Sequence, residues 1–161
     1  MKRSRIFACS QEGTTTVEFA IVGLLLFMVL FAVIEFGRAL FVMNTLTEAT
    51  RRGARMAAVC PVGDTKPASV AVFDVGGGKS AVVYGLTTAN VLIEYLDANA
   101  NTIASPTTNF SAIRYVRASI VGFSLPLAIP TLLPTLPMSG FSATLLRESL
   151  GVPANEPITS C

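Results

Sequence analysis

The feature that most constrains this chain is an uncharged, mostly apolar run, residues 19–34, that begins directly after one carboxylate, Glu18. Residues 17–34 would form a helix about 27 Å long at 1.5 Å per residue, nearly the thickness of a bilayer's hydrocarbon core. An acid at the edge of a membrane-spanning segment is costly unless another group pairs with it, and such acids are usually functional. The sequence therefore predicts a membrane-spanning helix in which Glu18 has a role.

A candidate partner for Glu18 lies just before it in the chain. Cleavage after the small residue Gly13 would create an α-ammonium group on Thr14, with Glu18 four residues further on and the aromatic Phe19 next to it. The spacing of this motif resembles a type IV prepilin processing site. The resemblance implies a leader of residues 1–13 that is removed by cleavage between Gly13 and Thr14.

The placement of charge indicates how the chain is oriented. Lys2, Arg3 and Arg5 outnumber Glu12 before the cleavage site, so the leader accounts for the whole net charge of +2. Positive charge just before an apolar run predicts that the N-terminus stays cytoplasmic and that the rest of the chain is exported across the inner membrane. A neutral mature chain also argues against a nucleic-acid partner, since duplex binding requires a basic face.

Other types of N-terminus fit this sequence less well. A secretory signal has an apolar region of roughly 7–15 residues that ends at a small-residue site, whereas this run is longer and ends in residues 35–38, with no such site. A lipoprotein signal is disfavoured, because Cys9 precedes the run and Cys60 lies too far beyond it. An uncleaved single-span anchor that carries a periplasmic binding module remains an alternative. The first residue of the mature chain distinguishes these cases.

The helix is predicted to continue beyond the apolar run, from about residue 14 to about residue 59. Glu35 and Arg38 have the i, i+3 spacing of an ion pair. Small and apolar residues then recur at steps of three and four, which predicts one stripe on an exported helical half that ends at Cys60-Pro61. The stripe consists of Glu35, Ala39, Val42, Leu46, Ala49, Gly53 and Met56, and the opposite side carries Asn44, Glu48, Arg51, Arg52 and Arg55.

Three segments together carry a more specific resemblance. Residues 13–20, residues 34–38 and residues 49–58 are similar to the TadE-like family of minor pilins, or pseudopilins, of the tight-adherence pilus system. The resemblance covers roughly residues 8–60. It implies a protein that takes part in building a type IVb (Flp) pilus for surface adherence. Arg52 departs from the family pattern, in which an acid is common at that position.

The resemblance also implies roles and partners. Gly13 would be the last leader residue and Thr14 the mature N-terminus, while Glu18, with Phe19, would be linked to assembly. The implied partners are a prepilin peptidase, the major and other minor pilins, and the inner-membrane assembly platform. Family positions of unassigned role are Glu35, Arg38, Arg51, Gly53 and Arg55.

The rest of the chain predicts an α+β, pilin-like fold with a small antiparallel sheet on the exported half of the helix. Strands are expected at residues 91–96, 115–123 and 141–146, with a turn at residues 97–101. The predicted domain organisation is a leader at 1–13, a transmembrane helix at 14–37, an exported helical half at 38–60 and a periplasmic head at 61–161. Residues 125–137 contain four prolines, which predicts an irregular loop, either partner-facing or lying over the core.

Cysteine usage indicates an oxidising compartment. Cys9 lies in the predicted leader, so Cys60 and Cys161 remain on the exported side and can pair. A bridge between them would close about a hundred residues, for which the chain-entropy model gives about 4–5 kcal/mol.

No enzymatic chemistry is indicated. The chain has no histidine, so His-based triads and His-ligated zinc are excluded, and two exported cysteines cannot form a structural zinc site. Residues 76–80, Gly-Gly-Gly-Lys-Ser, lack the glycine that a phosphate-binding loop requires at position 73, which is Phe73. A flexible turn between strands is therefore expected there, and we predict no catalytic residue, metal, cofactor or small-molecule substrate.

Overall fold

A computed structural model describes residues 12–127, 135–152 and 161. Within them a long helix, α1 (Glu12–Val59), is followed by a short helix, α2 (Lys66–Ala71), and then by strands, which gives the predicted α+β class. The strands are β1 (Val91–Leu96), β2 (Tyr115–Ile120), β3 (Phe123–Pro126), β4 (Thr135–Met138) and β5 (Ser142–Leu146).

The chain divides into two compact units, Met1–Arg38 and Ala39–Cys161. We call the described part of the first unit, residues 12–38, the N-terminal segment, and the second unit the head. The N-terminal segment is helical throughout, and every residue from 24 to 31 has a large apolar side chain that is exposed. Among the described residues, the helix from Thr14 to Val59 is long and apolar enough to cross a membrane.

The head contains a three-stranded antiparallel sheet in the order β1-β2-β5. Val91 pairs with Ile120 between β1 and β2, and Tyr115 pairs with Leu146 between β2 and β5. Strand β1 has the predicted bounds, and β5 begins one residue later than predicted. Both flank β2, so β5 lies at one edge of the sheet.

The strand predicted for residues 115–123 is wrong at its C-terminal end. β2 stops at Ile120, and the chain turns at Gly122, where φ is +63°. Glycine adopts this left-handed conformation without the steric cost of a Cβ. Phe123 then begins β3, which pairs with β4 rather than with the main sheet.

The irregular loop predicted for residues 125–137 is also wrong at both of its ends. Pro126 lies in β3 and Pro137 lies in β4, in a two-stranded antiparallel sheet. Proline is excluded from central strands because it lacks an N–H donor, but a two-stranded sheet consists only of edge strands, where proline is tolerated. Residues 128–134 lie outside the described part of the chain, so the prediction of a partner-facing loop stays a prediction for them.

The second half of α1 supplies one side of the head's core, as its stripe predicts. Val42 and Leu46 are buried in a cluster with Phe123 and Leu125. A second cluster lies toward the end of the helix. It contains Ala57, Tyr95, Ile113, Val116 and Leu150.

Candidate functional site

The predicted cleavage site lies at the start of α1. The described part of α1 starts at Glu12, and the bond between Gly13 and Thr14 lies within this helix. Glu18 follows one turn later and is exposed, as are Thr14 and Phe19. Among the described residues no ion pair involves Glu18. Glu18 is therefore an exposed acid on the surface of the helix.

Glu35 and Arg38 form the ion pair that their spacing predicts. Arg38 Nε donates to Glu35 Oε2 at 3.3 Å, and a second guanidinium nitrogen donates to Oε1. The Glu35 side chain is only 17% exposed in this pair. The pair neutralises both charges at the point where the apolar run ends, which fits a helix that leaves a membrane there.

Further along α1, the predicted polar side is exposed. Arg52 Nε lies 3.2 Å from Glu48 Oε1, and the Arg52 guanidinium lies 4.7 Å from the centre of the Phe73 ring. Arg51 and Arg55 are exposed as well, but neither makes an ion pair with any described residue. One arginine of this face therefore has partners within its own chain, whereas the other two present their charge outward.

Gly53 occupies a position where a side chain would be crowded. A Cβ atom there would lie 3.0 Å from the Cβ of Ala71 in α2 and 3.3 Å from the Cβ of Ala118 in β2. Both contacts would be tight, so glycine lets α1 approach the short helix and the sheet closely. Gly37 has no such neighbour within 4 Å.

The structure brings Cys60 and Cys161 to disulfide distance, with their Cα atoms 5.7 Å apart. Cys60 is fully buried at the end of α1, and the backbone N–H of Cys161 donates to the Asp64 carboxylate at 3.4 Å. The C-terminal residue is thereby placed beside the end of the long helix. A covalent bridge between this pair is part of the proposal below.

The glycine-rich segment forms a turn in which a carboxylate of the same chain occupies two of the N–H groups. The Asp74 carboxylate accepts hydrogen bonds from the N–H groups of Gly76 at 2.7 Å and Gly78 at 3.0 Å. These are the groups that a bound phosphate would need, and a carboxylate would also repel it. No group of three or more possible metal-ligating side chains occurs in the described part of the chain.

Two titratable groups are perturbed, and both have structural causes. Burial raises the pKa of the Tyr95 hydroxyl, and the backbone of Gly63 opposes this shift through a hydrogen bond. The N–H groups of Asn101 and Asn99 donate to the Asp97 carboxylate at 2.9 and 2.8 Å and hold its pKa below the usual 3.8. Asp97 is thus the cap of the predicted turn at 97–101, which is confirmed.

Much of helix α1 is similar to a known family. Residues 13–55 match the family described as TadE-like protein. The match is the one that the sequence resemblance predicted, and it spans Gly13, Glu18 and Gly53. No curated protein and no solved structure matches the chain.

The similarity to TadE-like proteins lies on α1 and covers somewhat more than a quarter of the chain. It suggests a protein associated with a tight-adherence pilus. TadE-like pilins are structural pilus components rather than a family of enzymes, and one apolar N-terminal helix is consistent with a single-pass membrane pilin.

Sequence reasoning identified the exposed arginines of α1 but missed what lies beside them. Arg51 and Arg55 line a groove together with β5, between Ser142 and Leu145. The periodicity of α1 indicates which residues point outward, but it does not indicate which strand ends up next to them. That depends on the strand order β1-β2-β5, for which the sequence carries no local signal.

Proposed function

We propose that this protein is a minor pilin, or pseudopilin, that takes part in assembling a type IVb tight-adherence pilus used in surface adherence. The observation that supports this best is the match of residues 13–55 to TadE-like proteins. It coincides with a continuous helix that carries Gly13 and Glu18 directly before an exposed apolar segment.

In this proposal the chain is made as a precursor with a cytoplasmic leader. A prepilin peptidase of the inner membrane cleaves after Gly13, which makes Thr14 the N-terminus of the mature protein. The positive charges of the leader keep it in the cytoplasm, and the head is exported to the periplasm. There Cys60 and Cys161 form a disulfide bond, since that compartment favours oxidised cysteines.

Glu18 then drives assembly through charge. In an isolated subunit its carboxylate faces lipid or the interface at a cost, because little else can solvate it there. After cleavage, the Thr14 ammonium group of one subunit can lie beside Glu18 of another. Packing of subunits thus removes an unpaired acid from the membrane. The ion pair forms only when the two helices have one particular axial offset, so it also sets the register of the packed helices. The partners in this assembly are the major and other minor pilins and the assembly platform.

The proposed role of Glu18 is tested by substitution in cells that assemble the pilus. We expect Glu18→Ala and the nearly isosteric Glu18→Gln to insert into the membrane normally but to abolish incorporation and piliation. Glu48→Ala is the matched control, because Glu48 is an exposed acid on the head portion of the same helix. It should leave piliation intact. Pili in normal number and subunit content with Glu18→Gln would contradict the proposal.

A further inference from the structure

In the described part of the chain, the main sheet has one uncovered edge, which is strand β5. β5 pairs with β2 on one side only. Strand β1, at the opposite edge, is partly covered, because Leu96 forms a bridge with Thr102 and the Ile103 N–H donates to the Tyr95 carbonyl at 2.9 Å. No described residue covers β5 in this way. The two edges of the sheet therefore differ in their capacity to accept another strand.

The hydrogen-bond pattern shows which backbone groups of β5 are available. Ile120 N–H donates to the Phe141 carbonyl at 2.9 Å, and Arg147 N–H donates to the Arg114 carbonyl at 3.0 Å. Because bonded pairs alternate along an antiparallel ladder, every second residue of β5 faces β2 and the others face outward. The N–H and C=O groups that point away from β2 belong to Ser142, Thr144 and Leu146.

This edge also lacks the features that normally prevent strand pairing. Natural edge strands are protected by proline, charged side chains, bulges or a covering segment. β5 reads Ser-Ala-Thr-Leu-Leu, without proline or charge, and Leu146 at its end is 69% exposed. An open, uncharged edge of this kind is a ready template for an added strand.

A groove runs between this edge and α1. Its first part has a volume of about 400 Å³ and is lined by Arg51, Arg55 and the strand from Ser142 to Leu145. A second cavity, of about 630 Å³, is lined by Arg55 again and by Ala58, Val59, Leu145, Leu146 and Glu148. In both cavities, residues further along α1 lie opposite residues further along β5. The helix and the strand therefore run in the same direction along the groove.

The charge in the groove indicates what it binds. Arg51 and Arg55 make no ion pair with any described residue, whereas Arg52 and Arg117 on neighbouring surfaces are paired with Glu48 and Glu94. The acid that lines the groove, Glu148, lies at its far end. The groove therefore carries an excess of positive charge at the positions next to the open strand edge.

The spacing of the two arginines fits an extended acidic chain. Residues four apart on a helix are separated by about 6 Å along its axis. Alternate residues of a strand, which share one face, are separated by about 6.8 Å. Two acidic residues at i and i+2 of an added strand could thus each approach one arginine. A second copy of this chain pairing through β5 about a two-fold axis would instead bring the arginines of both copies to the same face of the joined sheet, where they repel.

We propose that the groove between α1 and β5 binds an extended acidic segment of another protein, which adds to β5 as a further strand. The backbone of that segment pairs with Ser142, Thr144 and Leu146, and its carboxylates bind Arg51 and Arg55. Main-chain pairing supplies affinity in this mode of recognition, and the side chains supply specificity. This site is independent of cleavage and of Glu18.

The test uses the full-length protein in a zwitterionic detergent and a labelled, end-blocked seven-residue peptide in which threonine or valine alternates with glutamate. We expect saturable binding by fluorescence anisotropy, at least tenfold tighter than that of the same peptide with lysine in place of glutamate. N-methylation of the alternate amides that would face β5 should also weaken binding at least tenfold. Hydrogen exchange of residues 141–147 should slow when the glutamate peptide binds.

Variants of the protein locate the site. Arg51→Glu with Arg55→Glu should weaken binding at least tenfold, and Lys79→Glu, an exposed charge reversal outside the groove, should not. Thr144→Pro removes an outward N–H without removing a bond to β2, so it should also weaken binding.

Equal binding of the lysine or N-methylated peptide would overturn the proposal, and so would binding that survives the double arginine variant. Absence of binding at millimolar peptide would overturn it as well. If the protein forms a dimer that Thr144→Pro dissociates, and the peptide does not bind, then the partner of β5 is instead a second copy of this chain.

Discussion

The two parts of helix α1 carry apolar residues in different patterns. In the N-terminal segment, large apolar side chains are exposed at every position from 24 to 31, so they point in all directions around the helix. In the head the same helix buries one stripe, which includes Val42, Leu46 and Ala49, and exposes charged residues opposite. The difference is consistent with one continuous helix that has two surroundings, an apolar one for the N-terminal segment and a folded domain for the rest.

The largest contrast is expected for leucine truncation. Leu46→Ala should lower the head's free energy of unfolding by about 2–5 kcal/mol, because Leu46 is fully buried and its removal leaves a cavity. Leu25→Ala, at a position that is 55% exposed, should leave that free energy unchanged. Pulse proteolysis of the full-length protein in urea and detergent measures both. If Leu25→Ala destabilises the head as much, the two parts of α1 do not differ as described.

The next contrast concerns the cysteines. We expect Cys161→Ser to lower the head's stability by about 2–4 kcal/mol, because the bridge to Cys60 would no longer restrict the unfolded chain. Cys9→Ser, in the predicted leader, is the matched control and should have no effect. A reductant should destabilise the unsubstituted protein but not Cys161→Ser. Complete alkylation of the unreduced periplasmic protein at both cysteines would refute the bridge.

Replacing glycine with alanine should lower the head's stability in one part of α1 and not in the other. Gly53→Ala gains about 1 kcal/mol of helix propensity but forces a methyl group against Ala71 and Ala118, at a cost of about 1–3 kcal/mol. We expect a net destabilisation of about 1 kcal/mol. Gly37→Ala meets no neighbour within 4 Å and should not destabilise the head. A stabilising Gly53→Ala would show that the approach of α1 to β2 is looser than described.

The smallest effect is expected at a turn of the head and depends on pH. The pKa of Asp97 is lowered in the folded protein, so its stabilising contribution is present above the ordinary value of 3.8 and is lost as the pH falls through the lower folded value. Asp97→Asn should therefore reduce the urea midpoint at pH 6, and the difference should shrink toward pH 2. An equal difference at both pH values would contradict this cause.

The parts that the sequence predicted best depend on local periodicity. The stripe of α1 follows from steps of three and four, and β1 follows from a run of β-formers before a turn that Asp97 caps. The two-stranded sheet of β3 and β4, which was not predicted, shows the limit of rules based on local sequence. Pro126 and Pro137 exclude a central strand but say nothing of a separate two-stranded sheet.

The candidate sites also differ in whether local sequence could reveal them. Glu18 could be recognised because an acid beside an apolar run is unusual in itself. Arg51 and Arg55 were identified as exposed residues and as family positions without an assigned role, because the groove that they line depends on β5 lying next to them. Strand order is set by long-range packing, and so the groove became evident only in three dimensions.

In the proposed function, cleavage after Gly13 prepares α1 for entry into a pilus-like assembly. The most direct test of this step is the N-terminus of the membrane-associated protein, measured by mass spectrometry in cells with and without their prepilin peptidase. We predict a chain that starts at Thr14 when the peptidase is present and an uncleaved chain when it is absent. An intact start at Met1 or Lys2 in both strains would contradict the proposal and favour a tethered periplasmic binding module.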